Sequence, residues 1–161
     1  MLEKLLIKNV ALIEESEIDF GKGLNILSGE TGSGKSIILD SINFVLGAKA
    51  DRSMVRYGEN ECSVIAVFRP DTGDPVYADL AALDLATDEE IIISRKYRMD
   101  GRGDIRINGT PVNVSMLRRI TSHLVDVHGQ SEHFYLLSES NQLTLLDKAA
   151  GEALQAKKAE L

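Results

Sequence analysis

Gly29-Glu30-Thr31-Gly32-Ser33-Gly34-Lys35-Ser36 matches the pattern G-x-x-x-x-G-K-[ST], and its flanks decide the fold. Ahead of it, Gly23-Leu24-Asn25-Ile26-Leu27-Ser28 is short, apolar and strand-like. Behind it, Ile37 to Leu46 carries apolar residues at helical spacing, and Gly47 is a natural helix stop. Strand, glycine loop and helix turn backbone N–H groups and a helix N-terminus toward one point, a geometry suited to phosphate. Gly32 adds a third glycine where positive φ angles are needed. The N–H groups of Gly32 to Ser36 are expected to cradle a β-phosphate. Lys35 is expected to reach β- and γ-oxygens as a mobile point charge. The Ser36 hydroxyl is expected to complete a Mg²⁺ shell made mostly of phosphate oxygen and water. A glycine-rich turn with an exposed lysine is the plain alternative, and the flanking elements argue against it.

The chain has 161 residues, about one domain, and is 43% apolar, enough for a core. Its net charge of −7 excludes a uniformly basic nucleic-acid surface. Local basic patches remain open: Arg52 with Arg56, and Arg95, Lys96, Arg98 and Arg102. One cysteine, Cys62, rules out a disulfide framework and suits a reducing compartment. It opens the apolar run Ser63 to Phe68 and reads as a small strand residue rather than a nucleophile. No stretch approaches the ~18 apolar residues of a membrane span. The N-terminus lacks the pattern of a signal peptide, so a cytoplasmic protein is expected.

Leu2 to Asn9 and Val10 to Phe20 are expected to be strands, and Gly21-Lys22-Gly23 a turn into the loop-bearing strand. That arrangement points to a mixed sheet beside the phosphate loop. Glu61 to Arg69, Glu90 to Arg98 and Asp104 to Ile107 read as further strands, with a short helix near Tyr77 to Leu83. Asn108-Gly109 is a type I′ hairpin signal, so residues 61–112 form an antiparallel unit. Val114 to Ser122 reads as a helix capped by Asn113, and His123 to Val127 as a short strand. His128 to His133 is a polar loop. From residue 141 to 161 the pattern is helical, with an apolar stripe along one side that has no partner left in the sequence. The fold class is thus α/β, a P-loop NTPase with a lobe over 1–140 and a long helix beginning at 141.

A complete nucleotide hydrolase also needs a carboxylate closing an apolar strand, the Walker B residue. Asp40 lies inside the loop helix and Asp147 inside the last helix; Asp126 follows only the short run His123-Leu124-Val125. The simplest expectation is that this carboxylate lies on sequence outside the 161 residues. His128, His133 and Asp126 are off the usual zinc spacings and lack a cysteine pair, so no metal cluster is expected there. A site divided between distant segments is the organisation of ABC-type ATPases with coiled-coil insertions.

Met1 to Glu14, Phe20 to Asn25 and the loop itself resemble the RecN family of bacterial SMC-like DNA-repair ATPases. The stretches Leu46 to Gly58 and Val125-Asp126-Val127-His128-Gly129-Gln130-Ser131-Glu132-His133 strengthen the resemblance. Ser131 departs from it, since the family has a second His there. The resemblance implies the N-terminal lobe of an ABC-type ATPase head. A coiled coil and a C-terminal lobe bearing Walker B and the signature motif would follow.

It further implies ATP and Mg²⁺ as ligands, ATP-driven engagement of two heads, and action on DNA in double-strand break repair through the full-length protein. It also implies a nucleoid-associated cytoplasmic location and no membrane partner. Gly29, Glu30, Thr31, Gly32, Ser33, Gly34, Lys35 and Ser36 then bind nucleotide, and Gln130 is similar to the glutamine that ligates Mg²⁺ and senses the γ-phosphate. Arg52 or Arg56 is similar to a basic residue held near the phosphates, able to offset transition-state charge. Lys8 and Asn9 are placed near the nucleotide by the same resemblance. The chain alone is expected to bind nucleotide weakly and to hydrolyse it negligibly. The alternatives are another ABC-type ATPase, whether a transporter subunit or an overcoming-lysogeny-type nuclease, and a scaffold with a vestigial loop. A transporter domain would carry a stacking aromatic shortly before the loop, where only Phe20 is near.

Overall fold

Alternation decides the centre of the molecule. In Glu61–Phe68 every second residue (Cys62, Val64, Ala66 and Phe68) is buried, so the segment is a strand with one face on a core. The computed structural model describes residues 1–29, 34–85 and 89–125, all within one unit, Met1–Asp126. The described strands are β1 (Leu2–Val10), β2 (Ile13–Asp19), β3 (Glu61–Phe68), β4 (Ile91–Arg98), β5 (Gly103–Ile107) and β6 (Thr110–Pro111). They form a six-stranded sheet in the order β2-β1-β3-β4-β5-β6, and every described pairing is antiparallel. The antiparallel unit expected over residues 61–112 is therefore larger, because β1 joins it along β3. Asn108 and Gly109 both take positive φ, 48° and 82°, as the hairpin signal required.

Among the described residues, three α-helices lie on one side: α1 (Lys35–Val45), α2 (Val76–Ala82) and α3 (Val114–Leu124). Phe44 and Val45 of α1, Leu80 of α2, and Leu117 and Ile120 of α3 join Leu5, Ile7, Val64, Phe68, Ile91, Ile93 and Ile107 in one core. The opposite face carries Lys4 against Glu17 and Asp19, and Lys96 and Arg98 against Glu61. α2 packs on α3, where Asp79 accepts from Arg119 Nε at 3.0 Å and lies 2.9 Å from His123 Nε2.

Two sequence expectations are corrected. Residues 24–28 are not a strand: they pair with nothing described, and Leu24 and Ile26 are 86% and 77% exposed. A strand exists by pairing, and an apolar run without a partner strand does not adopt the ladder. No mixed pairing therefore arises beside the loop among the described residues. His123 and Leu124 do not start a strand but finish α3, because Leu117, Ile120, Thr121 and Leu124 continue one helical face. Asn113 caps that helix as expected, accepting from the Met116 N–H at 2.8 Å. The expected helix over 141–161 lies outside the described residues.

Candidate functional site

The first turn of α1 is built without the usual cap. Its N-cap residue, Gly34, sits at φ 97°, makes no side-chain cap bond, and no acidic residue follows in the first turn. A Cβ at Gly34 would meet nothing within 4 Å, so glycine is needed for the backbone angle and not for space. The leading N–H groups of a helix have no partner inside it, and they carry the positive end of its dipole. Serine, aspartate or asparagine ordinarily takes up these groups at the N-cap. Here the sequence supplies glycine instead, leaving the donors for a ligand.

Lys35 and Ser36 open the helix. The Lys35 ammonium donates to the Gly29 carbonyl, closing the loop across its own mouth. The exposed Ser36 hydroxyl has no hydrogen-bond partner among the described residues, so a hard oxygen donor stands free beside Lys35. That oxygen fits a small divalent cation already bound to phosphate. Gly29, Gly34, Lys35 and Ser36 are thus brought together. Glu30, Thr31, Gly32, Ser33 and Gln130 lie outside the described residues, as do Asp126, His128 and His133.

The two arginines left open by the sequence differ in their surroundings. Arg56 is tied to the β1–β2 turn: its backbone N–H donates to Asn9 O at 2.9 Å and its guanidinium to Leu12 O at 2.7 Å, with Glu14 at 3.9 Å. Ala11 N donates to Met54 O at 2.9 Å, so the whole segment is laced to that turn. Asn9 and Ala11 hold positive φ, 55° and 48°, and the Asn9 amide donates to Glu59. Arg52 is exposed in the short 3-10 turn Arg52–Met54, and its guanidinium has no partner among the described residues. Lys8 is exposed on β1.

The basic patch left open at residues 95–102 loses Arg95, and the others are paired with carboxylates. Arg95 points into the core, 8% exposed, with its guanidinium 4.4 Å from the centre of the Phe44 ring. Lys96 and Arg98 share Glu61, and Arg102 lies 3.5 Å from Asp100. Strand parity explains Arg95: it follows Ile91 and Ile93 on the inward side of β4. Burial, then the Arg118 cation, pull its guanidinium below the ordinary arginine value. Cys62 is buried on β3, and burial pushes its thiol up, away from the thiolate a nucleophile needs.

At the far end of α1 the sequence singled out Gly47 as the stop, but not the side chains that hold it. The Gly47 N–H donates to Phe44 O and the Ala48 N–H to Asn43 O, the paired bonds of a Schellman ending. Side chains take the carbonyls beyond it. Arg95 donates to Phe44 O and, at 2.7 Å, to Ala48 O; Arg118 donates twice to Gly47 O, at 3.1 and 2.9 Å; Thr121 donates to Leu46 O at 2.9 Å. The available signals were an arginine at an inward strand position and a threonine among the apolar positions of α3.

A family model for the AAA domain matches residues 4–161. The DNA repair protein RecN of Halalkalibacterium halodurans is 42% identical over 156 residues, covering 96% of this chain and 28% of the relative. RecN of Bacillus subtilis (strain 168) is 40% identical over 157 residues, covering 97% of this chain and 27% of the relative. The chain thus spans little more than a quarter of the length of these relatives. Among solved structures, the Smc head domain with an extended coiled coil from Pyrococcus furiosus has a TM-score of 0.71 at 24% identity, over 99% of this chain and 44% of that one. The SMC head domain from Thermotoga maritima has a TM-score of 0.58 at 28% identity, over 73% and 41%. With the SMC-head fold and the glycine loop at the start of α1, the chain belongs to the AAA domain family, and over its length it is similar to the N-terminal quarter or so of RecN proteins.

Proposed function

We propose that the chain is the ATP-binding N-terminal part of a RecN-like, SMC-type ATPase head acting in DNA double-strand break repair. The observation that carries this is the start of α1, where a left-handed Gly34, no side-chain cap and no acidic residue leave the helix donors for an anion. Gly29 to Ser36 bind the phosphates. On binding, the Lys35 ammonium exchanges the Gly29 carbonyl for charged phosphate oxygens, which make stronger, charge-assisted hydrogen bonds. Ser36 and Gln130 would hold Mg²⁺, which would supply positive charge to the bound phosphates. Arg52 rather than Arg56 faces the phosphates, since Arg56 is occupied by Leu12 and Glu14 while Arg52 has no partner among the described residues.

Hydrolysis depends on the C-terminal lobe of the full-length protein, and ATP drives engagement of two such heads. DNA binding belongs to the whole protein. This piece carries a net charge of −7, and several of its arginines are paired with carboxylates, so its own DNA affinity is weak and salt-sensitive. No helix among the described residues is long and apolar enough to cross a membrane.

Calorimetry with Mg-ATP tests the assignment. The wild-type chain is expected to bind, and Lys35→Ala to bind at least about tenfold more weakly, the loss of one charge-assisted contact. A wild-type chain with no ATP affinity makes the loop a vestige. Turnover well above background that Lys35→Ala abolishes would show a complete site in the chain and end the divided-head assignment.

A further inference from the structure

The two ends of α1 face different tasks. Its start holds the loop, and its end is gripped by residues from two other elements. Arg95 of β4 takes Phe44 O and Ala48 O; Arg118 and Thr121 of α3 take Gly47 O and Leu46 O. No carboxylate lies within ion-pair distance of Arg95 or Arg118 among the described residues, so both cations serve the carbonyl end of one helix. That is where the helix dipole is negative and cations are favoured. Gly47 belongs to the same construction. It sits at φ 110°, and a Cβ added there would lie 2.9 Å from Arg118 Cγ, closer than real Cβ contacts come. The approach of α3 to α1 therefore requires glycine at this position.

A helix gripped by a single weak end cap can shift along its axis when a ligand draws on its other end. This helix ends in bonds from a buried guanidinium, a two-pronged arginine and a hydroxyl, two of which come from α3. We propose that Arg95, Arg118 and Thr121 are positioning residues for the phosphate loop, and that through them nucleotide bound at the start of α1 stabilises α3. This rests on the assignment of α1 as a nucleotide-binding helix. Coupling of this kind is reciprocal: whatever loosens the α3 grip weakens nucleotide binding by the same factor.

Amide hydrogen exchange on the full chain, with and without saturating Mg-ATP, tests it. In the wild type, ATP is expected to slow exchange at the first turn of α1 and also along α3. Arg118→Met with Thr121→Val removes the three bonds from α3 while keeping side-chain volume. In that variant ATP still slows the first turn of α1, the α3 effect disappears, and ATP affinity falls about fivefold or more. Arg118→Lys, which keeps one cationic donor, restores part of the α3 effect. Gly47→Ala, which pushes Arg118 away without touching either donor, reproduces the loss.

Slowing along α3 that persists in the double variant overturns the clamp while leaving the nucleotide assignment standing. So does a wild type that binds ATP through Lys35 with no change in α3. A wild type with no Lys35-dependent ATP effect overturns the nucleotide assignment and the clamp with it. Should the double variant lose its thermal transition, Gly47→Ala and Arg118→Lys carry the same comparison.

Discussion

Arg95 shows how one side chain changes meaning with its strand face. By composition it belongs with Lys96, Arg98 and Arg102 as part of a basic patch. By parity it belongs with Ile91 and Ile93, and the structure follows parity. Its donors add a second bond to Phe44 O, which already accepts from the Gly47 N–H, and take up Ala48 O just past the end of α1. Arg95→Met keeps the apolar stem over Phe44 and removes the donors. It is expected to lower unfolding free energy by about 1–3 kcal/mol, the usual worth of hydrogen bonds from a charged donor. Arg102→Met, at an 81% exposed side chain, should stay within about 0.5 kcal/mol of wild type. Urea titrations of the two variants separate these roles; equal, small effects would return Arg95 to the surface patch. The start of α1 was legible at this scale because Gly34 holds the positive φ that its residue type announces, with Lys35 and Ser36 following it into the helix. The clamp was not, because Arg118 and Thr121 are ordinary helix residues until α1 is seen to end beneath them.

Elements were legible where alternation or a cap spoke within a few residues, as in β3, β4, the Asn108-Gly109 turn and the Asn113 cap. They were not legible where the partner decides. Residues 24–28 have strand composition without a described partner, and His123-Leu124 has strand composition on a helix already committed by Leu117 and Ile120. The α2–α3 contact gives this scale a pH signature. The hydrogen bond from the Arg119 guanidinium, and after it the contact with His123, hold the Asp79 carboxyl below its ordinary value, against the opposing pull of desolvation. A depressed carboxylate contributes stability above its unfolded-chain pKa of about 4, and the contribution is lost as pH falls through the lower folded-state value. Arg119→Met keeps the stem and removes the charge. Its urea midpoint should lie below wild type at pH 7, with the gap closing from about pH 4 downward. Because Arg119 is half exposed, added salt should shrink the gap at pH 7 as well. A gap that stays constant from pH 7 to about pH 2 would assign the effect to packing alone.

At the scale of the molecule, the described sheet and helices close a core without residues 24–27. Leu24, Ile26 and Leu27 stay exposed directly before the loop that defines the site. A run this apolar is unusual on a surface unless something covers it, and the chain spans only about a quarter of the length of its RecN relatives. Under the proposed function, the C-terminal lobe is what covers it, giving residues 24–28 the strand partner that their composition anticipates. Leu24→Ser with Ile26→Ser separates the two contexts. In this chain the pair should change unfolding free energy by no more than about 0.5 kcal/mol, since neither side chain is buried. In the full-length protein the same pair should cost roughly 1.5–3 kcal/mol per side chain, the value of burying a leucine or isoleucine. ATP turnover should fall with it, because the loop would lose the strand that aims it. Denaturant unfolding of both forms, followed by turnover of the full-length variant, gives the comparison. Equal destabilisation in the two contexts would place Leu24 and Ile26 inside this chain's own core and remove the lobe as their cover. A loss confined to the full-length protein would show that the phosphate loop is held from both sides: by the clamp on α1 behind it, and by a strand completed from elsewhere in front.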